Sequence, residues 1–192
     1  MLHSILIALW IVIPIMAAGL MHVAIIKLRF FQMLAAVPLD FGATIAGRSL
    51  FGENKTFRGA FVMIAAAIIC VSVHVAVSSR WTWTRDLMPE VEQEHPMIWG
   101  GLAGVGYIVG ELPNSFLKRR WRIGPGASAS GPWRVLQWFV DQLDSMIGVV
   151  LFLLPVWRPS IAVLVSLAGW TLVAHPAVAF VMLRLGLKKR VG

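Results

Sequence analysis

Cysteine is almost missing from this chain: Cys70 is the only one in 192 residues, and it sits inside an apolar run. No intrachain disulfide is possible, and the redox compartment is left open. Charge is scarce too, at 14% of residues against 58% hydrophobic, where a soluble domain averages about 25% charged and about 45–50% apolar. With a mean hydropathy of +0.78, that imbalance excludes an ordinary soluble domain and indicates an integral membrane protein. Acids are scarcer than bases, nine against seventeen Lys and Arg, for a formal charge of +8. Such an excess suits nucleic acid in a soluble protein, but in a membrane protein it belongs to the cytoplasmic loops, so no nucleic-acid partner is expected. There is no internal repeat and no low-complexity linker. His3, His22, His74, His95 and His175 have no metal-ligand spacing, no Ser-His-Asp arrangement is supported, and His175, just before Pro176, reads as a packing position at a kink. No Lys or Arg precedes Lys27, so the first apolar run lacks the basic start of a signal peptide and is too long for one. It reads as a retained helix.

What the chain does have is five hydrophobic segments, roughly Ile5 to Ile26, Ala60 to Ser78, Met97 to Leu112, Val135 to Val156 and Ser160 to Leu183. A spanning helix needs about 20 mostly apolar residues, which four segments reach and the third nearly does. The expected fold is therefore all-α: one membrane-embedded domain over residues 1–192, crossing five times. Charge sets the orientation. The loop after the first segment carries Lys27, Arg29, Arg48, Lys55 and Arg58; that after the third carries Lys118, Arg119, Arg120, Arg122 and Arg134. The tail adds Arg184, Lys188, Lys189 and Arg190, leaving only Arg80, Arg85 and Arg158 on the other side. A fourteen-to-three split puts the N-terminus outside and the C-terminus in the cytoplasm, with the cell membrane as the location. Trp81, Trp83, Trp99 and Trp157 then fall at outer helix ends, where interfacial aromatics collect.

Two long inner loops, about 27–59 and 113–134, hold most of the turn-forming residues. The second contains "IGPGASASGP", which cannot continue a helix. In "GGLAGVGYIVG" the pairs Gly100/Gly104 and Gly106/Gly110 have small-xxx-small spacing, a device for close helix packing. The glycine spacing and context are wrong for a dinucleotide fingerprint.

Chemistry concentrates on the inner face. Asp141 and Asp144 in "FVDQLDS" are three apart and share one helix face. An ionised carboxylate in an apolar span costs at least about 2.5 kcal/mol unless paired or solvated, so intramembrane acids are functional candidates by default. Paired carboxylates at the cytoplasmic end of a helix suit Mg²⁺, which takes one or two of them together with substrate phosphates; a structural bridge to Arg134 is the plainer alternative. Glu111 in "GELPNS" is a third acid on that side, placed where Pro113 is expected to end its helix. In "KRRWR", Arg120 and Arg122 read as topology anchors or contacts to anionic headgroups. "LFGENKTFRGAF" is not a P-loop, since Lys55 follows Gly52 by three residues and no strand precedes it. Lys55, Thr56 and Arg58 nonetheless offer two cations and a hydroxyl beside flexible backbone, either as a polyphosphate clamp or as an anchor ahead of the second helix. Charge does not choose between them.

Taken in order, "PLDFG", "GENKTFRG", "GELPNSFLKRR" and "FVDQLDS" resemble the conserved pieces of the CDP-archaeol synthase family and, more distantly, of the CDP-diacylglycerol synthases. The resemblance runs from about residue 38 to 150, and Glu111 stands where the family pattern has Asp. It implies a five-helix membrane enzyme in which a lipid phosphate attacks the α-phosphorus of CTP, releasing pyrophosphate and leaving a CDP-lipid. It further implies Mg²⁺ as cofactor on Asp141, Asp144 and Glu111, with Lys118 beside them in catalysis. Lys55, Thr56, Arg58, Asn114, Ser115, Arg119 and Asp40 are implied to bind substrate, and CTP, a lipid phosphate and membrane lipids are the implied partners. Two other classes compete. A transporter would need polar residues through the full membrane depth, and the outer helix halves offer few. A CDP-alcohol phosphotransferase needs Gly after its second aspartate, where this chain has Ser145. An inactive paralogue is the third alternative. Nothing in the sequence fixes the lipid tails or an oligomeric state.

Overall fold

The computed structural model describes residues 1–87, 95–125, 127 and 130–184. Five long helices dominate: α1 (Leu2–Lys27), α3 (Phe57–Ser78), α5 (Pro96–Arg120), α6 (Trp133–Leu153) and α7 (Ile161–Arg184). Between them, among the described residues, lie two one-turn helices, α2 (Gln32–Ala35) and α4 (Thr82–Arg85), and a hairpin of β1 (Thr44–Ile45) and β2 (Arg48–Ser49). The fold is mostly helical, as expected, and the hairpin is its small addition. Its strands pair Thr44 with Ser49 and Ile45 with Arg48, and the tight turn puts both Ala46 (φ 50°) and Gly47 (φ 70°) in the left-handed region that two-residue hairpin loops demand.

Among the described residues, four helices are long and apolar enough to cross a membrane: α1, α3, α6 and α7. The fifth long helix, α5, has 25 residues, about 37 Å at 1.5 Å each, but its last three turns carry Glu111, Lys118, Arg119 and Arg120. Its end differs from the expectation. Instead of stopping at Leu112, the helix runs through Pro113 to Arg120, and α6 begins at Trp133. An interior proline removes one ladder donor and crowds the preceding turn. Here the turns beyond it are held by burial, with Asn114, Ser115 and Arg119 all under 10% exposed, and tertiary packing overrides the local penalty. At its other end α5 starts as its sequence suggests, with Pro96 at the first position and His95 Nδ1 accepting from Met97 N at 3.3 Å.

The glycines of α5 do what their spacing predicts. A Cβ on Gly100 would lie 2.5 Å from Ile68 Cα and one on Gly104 2.7 Å from Ile64 Cα, so α3 sits directly against that face. One on Gly106 would lie 2.5 Å from the Gly148 carbonyl oxygen, which locks α5 onto α6. Away from these charges the bundle has an apolar core that includes Ile11, Ile15, Val71, Val149, Leu153 and Leu167. Two tryptophans correct the interfacial reading: Trp99 and Trp157 are buried and their ring centroids lie 5.9 Å apart. Trp81 and Trp83 are exposed, as an interfacial pair should be.

The connection between α1 and α3 is folded back on itself. Leu39 N donates to Lys55 O at 2.8 Å and Phe57 N to Val37 O at 3.0 Å, which brings its two ends together. Arg120, read from the sequence as a topology anchor, also has local partners: its Nη2 donates to the carbonyls of Arg48 (3.1 Å) and Ser49 (2.8 Å), and Arg48 Nη1 returns a bond to Arg120 O at 3.2 Å. The end of α5 thereby clamps the hairpin.

Candidate active site

Helix α5 presents Glu111, Asn114, Ser115 and Lys118, spaced three and four apart, on the side facing α6, and α6 returns Gln137, Asp141 and Asp144. At the centre Asn114 Nδ2 donates to both aspartates, to Asp141 Oδ1 at 2.7 Å and to Asp144 Oδ2 at 2.6 Å. Gln137 Nε2 fixes that amide, donating to Asn114 Oδ1 at 2.9 Å and to Asp141 Oδ1 at 2.7 Å. Lys118 Nζ completes the shell of Asp141 at 2.6 Å. Asp144 Oδ1 accepts from Ser145 N at 2.6 Å and from Ser145 Oγ at 3.0 Å. Lys55, from the folded-back loop, forms an ion pair with Glu111. Burying a carboxylate is tolerable only when it is paired or hydrogen-bonded, and each of the three acids is.

These groups line a single polar cavity of about 1100 Å³. Eight of the residues named from the sequence share it: Lys55, Glu111, Asn114, Ser115, Lys118, Arg119, Asp141 and Asp144. Three others lie outside its lining. Asp40 is a loop brace, its carboxylate accepting from Gly42 N at 3.0 Å and Phe51 N at 3.2 Å. Thr56 is the N-cap of α3, its Oγ1 accepting from Gly59 N at 3.3 Å. Arg58 stands in the first turn of that helix. Arg119 is 8% exposed and packs beside Gly52, where a Cβ would come within 3.2 Å of its Nε. At that glycine, with φ +99°, both the backbone conformation and the close approach require the missing side chain.

Does this arrangement suit a divalent metal? Asp141 and Asp144 fit, since they share one face and one bridging amide. Glu111 is turned toward Lys55, and among the described residues no three His, Cys, Asp or Glu side chains are gathered into a metal-holding group. A two-carboxylate site completed by phosphate oxygens and water is the arrangement Mg²⁺ commonly accepts.

Sequence reasoning missed several lining residues: His22, Tyr107, Gln137, Gln142 and His175. Gln137 had a signal, being four residues before Asp141 on the same face. Gln142 had one too, standing between the aspartates in "FVDQLDS", whereas His175 had none: it comes from another helix and meets Gln142 only in space, with His175 Nδ1 and Gln142 Oε1 2.9 Å apart. Beside the polar cavity lies an apolar pocket lined by Ile11, Ile15, Val149, Leu153 and Leu167 among others. Met16, Tyr107, Gln142 and His175 line both.

Comparison with known proteins converges on one family. The family model described as CarS-like, CDP-archaeol synthase, matches residues 1–191. A CDP-archaeol synthase of Methanopyrus kandleri is 34% identical over 142 residues, 72% of this chain and 69% of that protein. Those of Halobacterium salinarum (31% over 157 residues, 79% and 81%) and Methanospirillum hungatei (29% over 163 residues, 80% and 88%) are similarly related. A solved structure reported as an intramembrane enzyme for archaeal membrane lipid biosynthesis superposes with a TM-score of 0.61, covering 90% of this chain and 92% of its own, at 22% identity. That likeness establishes the shared fold.

Proposed function

Because the chain belongs to the CDP-archaeol synthase family, we propose that its polar cavity is where a lipid phosphate attacks CTP. The activity is CTP-dependent transfer of a cytidylyl group to a membrane lipid phosphate. A phosphate oxygen of the lipid bonds to the α-phosphorus of CTP, the bond from that phosphorus to the β-phosphate bridging oxygen breaks, and pyrophosphate leaves with the electron pair. The observation that carries this reading for the site is the pair of aspartates bridged by one amide, with two lysines in reach, inside a cavity large enough for a nucleotide.

Such a reaction needs little covalent help from protein; it needs positioned reactants and neutralised charge. Lys55 and Lys118 hold the triphosphate, and Arg119 anchors the loop beside it. Asn114, held by Gln137, keeps the two aspartates at a fixed separation. Asp141 and Asp144 would hold Mg²⁺, with Glu111 contributing directly or through water. When bound, the ion supplies Lewis-acid neutralisation of phosphate oxygens. Thr56 and Arg58 shape the entry of α3 behind Lys55, and Asp40 keeps that loop folded against the cavity.

The fifth crossing is α5, with its charged end at the inner boundary, the N-terminus outside and the site open to cytoplasmic CTP. The fourteen-to-three distribution of Lys and Arg supports that topology. The test is direct: purified protein with radiolabelled CTP, Mg²⁺ and a panel of ether-linked and ester-linked glycerol phosphates. A labelled CDP-lipid and pyrophosphate are expected, and the preferred panel member identifies the lipid. Failure with every lipid phosphate would refute the reading.

A further inference from the structure

The polar cavity is lined by four Lys and Arg side chains, Lys55, Lys118, Arg119 and Arg134, and by three acids, Glu111, Asp141 and Asp144. Three of the cations are already committed. Lys55 pairs with Glu111, Lys118 Nζ lies 2.6 Å from Asp141 Oδ1, and Arg119 Nη1 donates to Ile123 O at 2.5 Å. Arg134 is the exception. Asp141, for which the sequence offered Arg134 as a structural counter-ion, takes Lys118 instead. Among the described residues the Arg134 guanidinium has no ion-pair or hydrogen-bond partner. Four cations against three acids leave the lining one positive charge in excess, and Arg134 carries it.

Its position gives that unpaired charge a use. Arg134 stands in the first turn of α6 and precedes Asp141 by seven residues, two helical turns, so both share one face about 10 Å apart along the axis. Gln137, which fixes Asp141, lies between them on that face. Arg134 is exposed where Asp141 and Asp144 are half-buried, which puts it at the cavity's rim and the acids farther in. A triphosphate with its α-phosphorus at the aspartates and its other phosphates directed along α6 toward the rim brings them to Arg134. A phosphate that takes Lys55 or Lys118 leaves a carboxylate short of its cation, and stripping one partner from a buried ion pair is costly. Arg134 meets an anion with no such loss, and its planar fork suits two phosphate oxygens at once.

We propose that Arg134 holds the β- and γ-phosphates of bound CTP and then the pyrophosphate that leaves. The inference rests on the CTP-dependent reading above and deepens it: beside the two lysines, it adds a contact for the end of the triphosphate that departs. A topology anchor at the start of α6 is the plain alternative. An anchor needs charge only and distinguishes no phosphate from another.

The test uses the full chain in detergent with Mg²⁺ and measures binding of labelled CTP, with unlabelled CMP and pyrophosphate as competitors. CMP shares the base, ribose and α-phosphate with CTP and lacks the two phosphates assigned to Arg134. Arg134→Gln should weaken CTP and pyrophosphate about tenfold each, while CMP affinity and the KM for lipid phosphate stay within about twofold of wild type. Arg134→Lys, a point charge in place of a fork, should fall between the two. Arg122→Gln removes a basic residue outside the cavity lining and should change none of these values. Equal weakening of CTP and CMP in a variant with an unchanged melting curve, a rise confined to the KM for lipid phosphate, or no change at all would each overturn the proposal; the second would give Arg134 to the lipid's phosphate. Should Arg134→Gln fail to fold, the ratio of CTP to CMP affinity in Arg134→Lys decides: a lowered ratio supports the assignment and a wild-type ratio overturns it. Wild-type protein that bound no CTP, or bound it and transferred nothing to any lipid phosphate, would remove the CTP reading itself. Normal wild-type binding and transfer with an unaltered Arg134→Gln removes the Arg134 assignment alone.

Discussion

Gly148 of α6 is where one methyl group should do the most damage at the least chemical change. A Cβ there would clash with the carbonyl oxygen of Gly106 and sit 2.6 Å from Gly110 Cα and 2.8 Å from Gly110 N. Carbon atoms in contact prefer about 3.5–4.0 Å, and these neighbours are backbone, so relief requires α5 and α6 to part by about 1 Å. Asn114 lies one turn beyond Gly110 on α5, and its bonds to the two aspartates are 2.7 and 2.6 Å. Separation by about 1 Å stretches both to about 3.6 Å, past the range of a hydrogen bond. Gly148→Ala should therefore lower thermal stability in detergent, by ~1–3 kcal/mol as overpacking usually does, and cut kcat about a hundredfold through misplaced aspartates. Gly101→Ala is the matched control: it is in α5, with nothing within 4 Å of its added methyl, so stability should hold or rise slightly. Melting curves and CTP turnover for both variants provide the assay. Wild-type turnover in Gly148→Ala would show that the α5–α6 spacing does not set the geometry of the acids.

Asp141→Asn and Asp144→Asn should each reduce turnover about a hundredfold or more in a folded protein, checked by steady-state kinetics across a Mg²⁺ titration; near-normal rates at limiting Mg²⁺ would remove them as metal ligands. Lys55→Arg conserves charge but replaces a point charge with a planar fork, so the apparent KM for CTP should rise severalfold, while unchanged CTP kinetics would leave Lys55 as a counter-ion to Glu111 only. Arg120→Met removes the bonds to the Arg48 and Ser49 carbonyls, so limited proteolysis should nick residues 44–49 faster, and equal nicking rates would show the hairpin stands without its clamp. Lys118→Met should destabilise the protein even without substrate, because Asp141 loses its cation, and adding Asp141→Asn should recover part of the loss; strictly additive losses in the double mutant would rule out a coupled pair.

Much of the bundle was readable because its cause is local. Long apolar runs mark α1, α3, α6 and α7, and the glycine spacing in "GGLAGVGYIVG" predicts the face that α5 turns to α3 and α6. Aspartates three apart must share a face, so Asp141 and Asp144 were legible as a pair. The misreadings have non-local causes. Pro113 satisfies every local rule for a helix end, yet Asn114, Ser115 and Arg119 are buried beyond it and keep the helix going. A tryptophan near a helix end does not reveal whether it faces lipid or another tryptophan, as Trp99 and Trp157 do. Arg120 reads as one more basic residue in a basic run, because its partners are backbone carbonyls more than seventy residues earlier. His175 looks ordinary and becomes informative only as a neighbour of Gln142.

The resting pairings also explain how so many charges sit between membrane helices. An unpaired carboxylate or ammonium at such a depth costs about 2.5–3.5 kcal/mol or more. The chain avoids that by giving Glu111 to Lys55 and Asp141 to Lys118, and by surrounding Asp144 with donors from Asn114 and Ser145. The cations that a triphosphate requires are thus the ones already neutralising the acids that a divalent ion requires. On the proposed function, nucleotide phosphates would draw the lysines away as the acids gained a new cation, so charge pairs would be exchanged and none left bare. Metal and nucleotide would then favour each other's binding, and the apparent KM for CTP should fall as Mg²⁺ is raised, an outcome that steady-state kinetics checks and that an unchanged KM would refute.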